Sequence, residues 1–226
     1  GIMFSRFVLF QFVVVPQAAS ALHCGLGIVG GGPGGMYVSW RAVLNSKSDS
    51  TVCLFERSNR VGGRIHSLRQ QGPNYDMVVE AGAYRFSPNR TSIHFGNFTW
   101  SLYTPITAHL ILDALQLRVK RYNPSPGQYD SNLQKIVDAS GHDAGYLTFV
   151  EKMLAEAHEK SNNFVFLPAH ELISIRAGGP RISLTFASGE QVTCDKLVLN
   201  IPQRPLLRVL HASPSLFSAG SPWPAV

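Results

Sequence analysis

The first part of the chain alternates apolar runs with polar or glycine-rich connections. The apolar run 26–29 predicts a strand, and residues 30–35 are glycine apart from one proline. Residues 36–45 then predict a helix. A β-prone run at 51–55 follows a polar loop and ends at Glu56. The pattern therefore predicts two strands joined by a glycine turn and a helix.

The rest of the chain combines helical and strand patterns. Apolar residues at helical spacing predict helices at 106–118 and 147–160, and residues 75–79 predict a strand after a turn at 70–74. The predicted fold class is α/β, a Rossmann-like nucleotide-binding domain with a parallel sheet and a β-meander, plus a short, incomplete helical region. The meander and the last strand are predicted from the runs 164–167, 170–176, 181–186, 191–193 and 196–201.

Composition indicates a globular protein. Of 226 residues, 45% are hydrophobic and 15% charged, so the chain can bury a core. The net charge is +6, but lysine and arginine are scattered singly. This favours a mildly basic surface over nucleic-acid binding, and an anionic cofactor would need only a few of these charges.

The three cysteines, Cys24, Cys53 and Cys194, do not have zinc-site spacing, and their odd number leaves at least one unpaired within the chain. Cys53 lies inside an apolar run, which favours a buried free thiol over a disulfide.

The N-terminal pattern predicts a secretory signal peptide at 1–21. Arg6 precedes the apolar run 7–15, which is too short for a membrane span, and the small residues 19–21 follow. The alternative is a strand of the domain. The sequons at Asn89 and Asn97 are potential glycosylation sites that support a secreted or endomembrane-lumen protein, although a cytosolic chain can carry both by chance.

The glycine turn has the spacing of a dinucleotide site. Gly30, Gly32 and Gly35 match G-x-G-x-x-G, in which the glycines permit the tight turn, close approach of a diphosphate, and close helix packing. The helix N-terminus would face the phosphates. Glu56 ends the second strand, where a carboxylate can accept both ribose hydroxyls and disfavours a 2′-phosphate.

A second glycine pair follows directly. Gly62 and Gly63 let a loop pass over a diphosphate, and Arg64 can bind phosphate oxygens in a bidentate way. The span 54–64, which also contains Arg57 and Arg60, resembles the flavin-containing amine oxidase family. The resemblance implies FAD as the cofactor.

The resemblance continues at 80–85, which is similar to the segment beneath the flavin ring in that family. Amine-using members have no arginine at the position of Arg85, whereas L-amino-acid oxidases use one to hold the substrate carboxylate. The alternative is that Arg85 pairs with Glu80 or lies at the surface. Farther on, 164–175 resembles the adenine-contacting strand, with Leu172 at the contact. The cofactor-binding residues implied are Gly30, Gly32, Pro33, Gly34, Gly35, Glu56, Arg57, Gly62, Gly63, Arg64, Gly82, Ala83, Tyr84, Arg85 and Leu172.

The resemblance also implies a domain division. Segment 197–207 resembles the strand that leaves the cofactor domain, whereas the family's second flavin-contacting segment and its N5-proximal lysine have no counterpart, so we expect a fragment or a degenerate copy. The expected parts are a signal peptide at 1–21, an FAD-binding domain at 22–104 and 145–210, a reduced substrate domain at 105–144 and a loose tail at 211–226.

The function implied is that of the N-terminal portion of an FAD-dependent L-amino-acid oxidase. Such an enzyme oxidises the Cα–N bond to an imino acid and reduces O2 to hydrogen peroxide, with the flavin carrying the chemistry. The partners are then a small substrate and O2, with no nucleic acid, no metal and no stable membrane span. No catalytic base is assigned. An amine or polyamine oxidase and a non-catalytic FAD-binding remnant are the alternatives.

Overall fold

The structure is a computed structural model that describes residues 22–46, 50–88, 91–95, 98–102, 106–122, 133–177 and 179–217. The predicted signal peptide at 1–21 and the two sequon asparagines, Asn89 and Asn97, lie outside the described residues. Within the described ranges, no helix combines the length and the apolar character needed to cross a membrane.

The described chain contains more strands than helices, and several strands follow one another directly. The helices are α1 (Pro33–Asn45), α2 (Ile106–His109), α3 (Thr148–Lys160) and α4 (Gln203–His211), with a π-helix at Leu110–Ala114 and a 3-10 turn at Pro214–Leu216. The strands are β1 (His23–Val29), β2 (Val52–Phe55), β3 (Ser67–Gln71), β4 (Met77–Glu80), β5 (Thr91–Phe95), β6 (Phe98–Leu102), β7 (Val119–Arg121), β8 (Gln134–Ile136), β9 (Phe164–Leu167), β10 (Leu172–Arg176), β11 (Ile182–Phe186) and β12 (Gln191–Leu199).

A six-stranded sheet in the order β10-β11-β12-β1-β2-β9 forms the centre of the molecule. Strands β12, β1, β2 and β9 are parallel, and β11 and β10 extend the sheet with antiparallel pairing. The predicted α/β class is confirmed. The predicted meander is shorter, because residues 164–167 pair in parallel with β2 instead of joining the antiparallel strands.

The last two predicted strands are one strand in the structure. The sequence predicts separate strands at 191–193 and 196–201, with Cys194 and Asp195 between them. In β12, the half-exposed Asp195 carboxylate lies 3.4 Å from His23 Nε2 and 3.8 Å from Arg181 Nε. These basic neighbours on both sides let a charged residue remain in mid-strand.

Two hydrophobic clusters cover the two faces of the sheet. Alternate positions of the parallel strands point to opposite faces, so Ile28 belongs to one cluster and Val29 to the other. The first cluster contains side chains of α1 and α3. A hydrogen bond also joins these helices, because Trp40 Nε1 in α1 donates to Glu156 Oε2 in α3 at 2.9 Å. The second contains side chains of β10, β11 and α4. Each fully buried large side chain stabilises the fold by about 1.5–3 kcal/mol.

The helix predicted at 106–118 is shorter and irregular. It contains α2 and the π-helix, whose wider turns are closed by Leu115 N–H donating to Leu110 O at 2.9 Å. Gln116 has φ 50° and ends the helix before β7. The turn predicted at 70–74 is shorter in the structure, because residues 70 and 71 belong to β3, which pairs with β4. The helix predicted at 147–160 matches α3 within one residue.

The expectation of a free Cys53 thiol was wrong. Cys53 is buried as predicted, but it forms a disulfide with Cys24, with the two Cα atoms 5.9 Å apart. Cys194 is the free, buried cysteine. The pairing depends on how β1 and β2 meet in the sheet, which single-strand patterns do not specify.

The segment after the sheet is folded farther than predicted. Helix α4 lies within it, and the predicted tail at 211–226 packs at least as far as Leu216, which is buried in the second cluster. The buried Ser213 hydroxyl accepts from Ile175 N–H at 2.7 Å and donates to Val209 O at 2.6 Å. These bonds fasten α4 and the 3-10 turn to β10.

Candidate functional site

The first glycine turn connects β1 to α1 at the carboxyl end of the parallel strands. Gly30 has φ +106°, and a Cβ there would lie 2.2 Å from the Asn200 carbonyl oxygen. A Cβ on Gly35 would lie 1.9 Å from the Gly30 carbonyl oxygen, so the helix packs directly on the turn. Both positions therefore require glycine.

The N-terminus of α1 is available to an anion. Gly32 is its N-cap residue, no side chain of the described residues caps it, and its first turn contains no acidic residue. Pro33 has no N–H, so the free donors are the N–H groups of Gly34 and Gly35. No described atom lies within 4 Å of a Cβ built on Gly32. A diphosphate can therefore approach the backbone closely here.

The second glycine loop crosses the first. Gly62 N–H donates to Gly31 O at 2.8 Å, and a Cβ on Gly63 would lie 3.2 Å from Gly32 Cα. Gly63 has φ +55° and Gly62 has φ +103°, conformations that favour glycine. The two loops predicted to clamp phosphates are therefore in direct contact.

Glu56 fixes the first turn from the end of β2. Its Oε2 accepts from Gly31 N–H at 2.7 Å, while Oε1 accepts from Ser58 N–H and Ser58 Oγ, both at 2.8 Å. A carboxylate oxygen accepts about two hydrogen bonds, so Oε2 retains one site for a ribose hydroxyl. The geometry leaves room for one ribose hydroxyl, where the sequence predicts two, and Ser58 is an orienting partner that sequence reasoning missed.

Three arginines near the turn have different surroundings. Arg60 donates to the carbonyl oxygens of Val61 at 3.1 Å, Ile65 at 3.2 Å and Gly63 at 2.9 Å, and so holds the second loop in shape. Arg57 and Arg64 are exposed and line the cleft without an ion pair to any described residue. They can supply positive charge to a bound anion.

These features surround one cleft of about 1040 Å³, at the carboxyl ends of β1, β2 and β12. Open α/β sheets bind ligands at this edge, and the volume is large enough for a dinucleotide. The predicted residues that line it are Gly30, Gly32, Pro33, Gly34, Glu56, Arg57, Gly63, Arg64, Gly82, Ala83 and Leu172. Gly35 and Gly62 lie behind the turns, and Tyr84 and Arg85 are not among the described lining residues.

Sequence reasoning missed one wall of the cleft. Asn200 follows β12, and its side-chain amide lies close to Gly34, 2.7 Å from the position of a Cβ there. The start of α4 adds Pro202 and Gln203, while His170 and Glu171 lie beside Leu172. The signal was present in the sequence, since Asn200 directly follows an apolar strand whose carboxyl end faces the cleft.

Arg85 packs against aromatic rings. Its guanidinium carbon lies 4.6 Å from the ring centre of Tyr84 and 5.2 Å from that of Tyr122. Glu80, the alternative partner, instead accepts from Ser67 Oγ at 2.7 Å and Tyr146 N–H at 2.6 Å. Arg85 forms no ion pair with a carboxylate among the described residues. Within the same ranges, no cluster of side chains could hold a metal ion.

Comparison with known proteins agrees with this architecture. A family model described as an NAD(P)-binding Rossmann-like domain matches residues 28–98. No curated protein sequence matches the chain significantly. A putrescine oxidase solved with putrescine bound is similar in structure, with a TM-score of 0.52 and 12% sequence identity, over 84% of this chain and 60% of that chain. The Diels-Alderase PyrE3 of pyrroindomycin biosynthesis has a TM-score of 0.47 and 13% identity, over 79% of this chain and 32% of that chain.

The family-model match and the similarity to the putrescine oxidase show the fold. The chain contains a Rossmann-like nucleotide-binding domain with a mostly parallel sheet, as the sequence predicts. It spans 60% of the length of the putrescine oxidase chain and 32% of the Diels-Alderase chain. At such low identity the similarity does not extend to substrate or activity.

Proposed function

We propose that the cleft binds FAD and that the chain is the cofactor-binding portion of an FAD-dependent oxidoreductase of the amine oxidase type. The contact between the two glycine loops carries this proposal, because Gly62 N–H donates to Gly31 O at 2.8 Å beside the uncapped start of α1. Two such surfaces can hold two adjacent phosphates from both sides. The exposed Arg64 on the second loop can neutralise the second phosphate.

The residues present fit FAD from one end to the other. Glu56 has one free acceptor site for the ribose, and Gly32 leaves open space for the diphosphate. The backbone at Leu172 would contact adenine, and Gly82 and Ala83 would lie against the flavin ring. Gly82 has φ +138°, and a Cβ there would lie 1.9 Å from Arg64 O, so the ring-contacting segment is fastened to the second loop.

The proposed substrate is an L-amino acid, oxidised at its Cα–N bond. Bound FAD would supply a hydride acceptor that O2 then reoxidises. Arg85 supports this choice, because it is a cation three residues after Gly82 that can hold a carboxylate. The second candidate is an amine without a carboxylate, which is favoured by the packing of Arg85 on two tyrosine rings outside the cleft lining.

A titration tests the cofactor. The full chain is mixed with FAD, and binding is followed by the flavin visible bands and by quenching of flavin fluorescence. We expect FAD to bind and Glu56→Gln to weaken it about tenfold, since a charge-assisted bond contributes about 1.5 kcal/mol. NADP should bind much more weakly, because a 2′-phosphate would face the Glu56 carboxylate. A chain that is folded by circular dichroism but does not bind FAD would refute the proposal.

Anaerobic reduction tests the substrate. The FAD-bound chain is mixed with L-amino acids, and separately with putrescine and benzylamine, and bleaching of the flavin is recorded. Bleaching by amino acids, with a raised KM in Arg85→Ala, supports the first candidate, and bleaching by amines alone supports the second. Bound flavin that no substrate bleaches indicates a non-catalytic FAD-binding remnant.

We also propose that the protein follows the secretory route. The disulfide between Cys24 and Cys53 supports this, since such bonds persist in oxidising compartments. Mass spectrometry of secreted material should find a chain that begins at Leu22 and glycans on Asn89 and Asn97. A chain that stays in the cytosol with reduced cysteines would contradict it.

A further inference from the structure

All three cysteines lie in one buried layer on one face of the central sheet. Cys24, Cys53 and Cys194 each have 0% exposure and belong to the same hydrophobic cluster. They are on three neighbouring strands, β1, β2 and β12 respectively, with β1 in the middle. Cys24 and Cys53 are already joined, and Cys194 is a free thiol.

The register of the strands brings Cys194 next to the disulfide. Cys24 and Cys194 are direct Cα partners in the parallel pair of β1 and β12. Neighbouring strands are about 4.8 Å apart, within the Cα separation of about 4.4–6.8 Å that disulfides accept. Cys194 Sγ lies 3.3 Å from the Cβ position of Gly27, and Gly27 is the Cα partner of Cys53. The thiol therefore lies over Gly27, on the same face of the sheet as the disulfide.

We propose that the three cysteines form an internal disulfide-exchange site in which the bond moves between Cys24–Cys53 and Cys24–Cys194. The Cys194 thiolate attacks Cys24 Sγ, the Cys24–Cys53 bond breaks, and Cys53 leaves as a thiolate that takes up the proton lost by Cys194. One disulfide and one thiol are present before and after, so the step needs no oxidant or reductant. The strand order places Cys24 between the other two cysteines, so its sulfur is the one that lies next to both.

The exchange changes which strands are cross-linked. One isomer cross-links β1 to β2, and the other cross-links β1 to β12. Because all three sulfurs are buried, free glutathione cannot reach them, and the exchange is intramolecular. Burial raises the pKa of Cys194 to about 11, so the reactive thiolate is scarce at neutral pH and increases about tenfold per pH unit below that value.

Peptide mapping tests this in the full chain. Samples held at pH 8 and pH 10 are quenched with acid, alkylated, digested without reduction and analysed by mass spectrometry, and circular dichroism verifies that the chain remains folded. We expect a Cys24–Cys194 peptide that forms roughly 100-fold faster at pH 10, at a rate independent of protein concentration. Absence of this peptide from the folded chain at pH 10, or a rate that rises with concentration, would overturn the proposal.

Two matched variants examine the geometry without depending on exchange rates. Each is refolded from denaturant with oxidised glutathione. Cys53→Ser should close a Cys24–Cys194 disulfide, because those residues are on adjacent strands. Cys24→Ser should keep two free thiols, since β1 separates the other two cysteines by about two strand spacings, roughly 10 Å. Equal disulfide formation in both variants, or none in Cys53→Ser, would contradict the assigned site.

Discussion

Gly32→Ala and Gly30→Ala should have different effects: the first should weaken cofactor binding without destabilising the fold, and the second should destabilise the fold. Gly32 has φ −66° and ψ 175°, which any residue adopts, and a Cβ there has no described atom within 4 Å. The free energy of unfolding should stay the same or rise by up to about 1 kcal/mol, because alanine restricts the unfolded chain. Gly30 has φ +106°, and its Cβ would lie 2.2 Å from Asn200 O. Gly30→Ala should therefore destabilise the fold by at least about 2 kcal/mol.

The effect of Gly32→Ala on binding should be large. The added methyl group would project into open space of the cleft, where no described atom lies within 4 Å of it and where the diphosphate is proposed to bind. A diphosphate held away from the backbone loses at least one charge-assisted hydrogen bond, about 1.5–3 kcal/mol. That loss corresponds to a Kd for FAD roughly 10- to 150-fold higher.

Thermal unfolding and FAD titration of the two variants distinguish these effects. Gly32→Ala should keep the wild-type Tm without cofactor and lose most of the rise in Tm that FAD gives the wild type. Wild-type affinity in Gly32→Ala would show that a diphosphate does not approach this turn. A Tm well below wild type in that variant would instead show that the space beside Gly32 is filled.

Other predictions concern charges and buried acids. Arg64→Ala should raise the Kd for FAD at least tenfold at unchanged Tm. Arg60→Ala should lower the Tm, because three hydrogen bonds to backbone carbonyl oxygens are lost. The reverse pattern in FAD titration and thermal unfolding would contradict these roles. Arg69→Ala should cost about 1 kcal/mol in urea unfolding, since its ion pair with α3 at 2.7 Å is partly exposed; no change would show that the pair is solvent-screened. Burial raises the pKa of Cys194 from 9.0 to about 11 and that of Tyr146 from 10.0 to about 12. The folded chain therefore holds both protons more tightly than the unfolded chain does. The contribution of these two groups to the free energy of unfolding should be constant below pH 9 and fall between pH 9 and 12, because the unfolded chain loses these protons at lower pH than the folded chain. Cys194→Ser should flatten the lower part of that fall.

Much of the cofactor end could be predicted from the sequence, because its geometry is local. Gly30, Gly32 and Gly35 lie within six consecutive residues, and their spacing, between an apolar strand and a helical segment, predicts a turn that opens a helix. Glu56 is similarly specified by the end of an apolar strand. The structure places these residues together and adds the contact between the two glycine loops.

The features that were missed depend on distant parts of the chain. The Cys24–Cys53 pairing and the place of residues 164–167 follow from which strands are neighbours, and one-dimensional periodicity does not encode that. Asn200 reaches the cleft only because β12 inserts beside β1. The π-helix at Leu110–Ala114 has the same apolar spacing as an ordinary helix, so its wider turns leave no sequence signal.

The insertion of β12 beside β1 has a consequence for how the protein is made. His23 Nδ1 and Thr193 Oγ1 are 3.0 Å apart although 170 residues separate them along the chain. During synthesis, β1 leaves the ribosome early and keeps one side unpaired until β12 has been translated. Closing so long a loop is slow, and an unpaired strand edge favours aggregation in the interval. Slower translation between these two strands should therefore lengthen the interval in which β1 has an unpaired edge, and chaperone binding there should protect that edge.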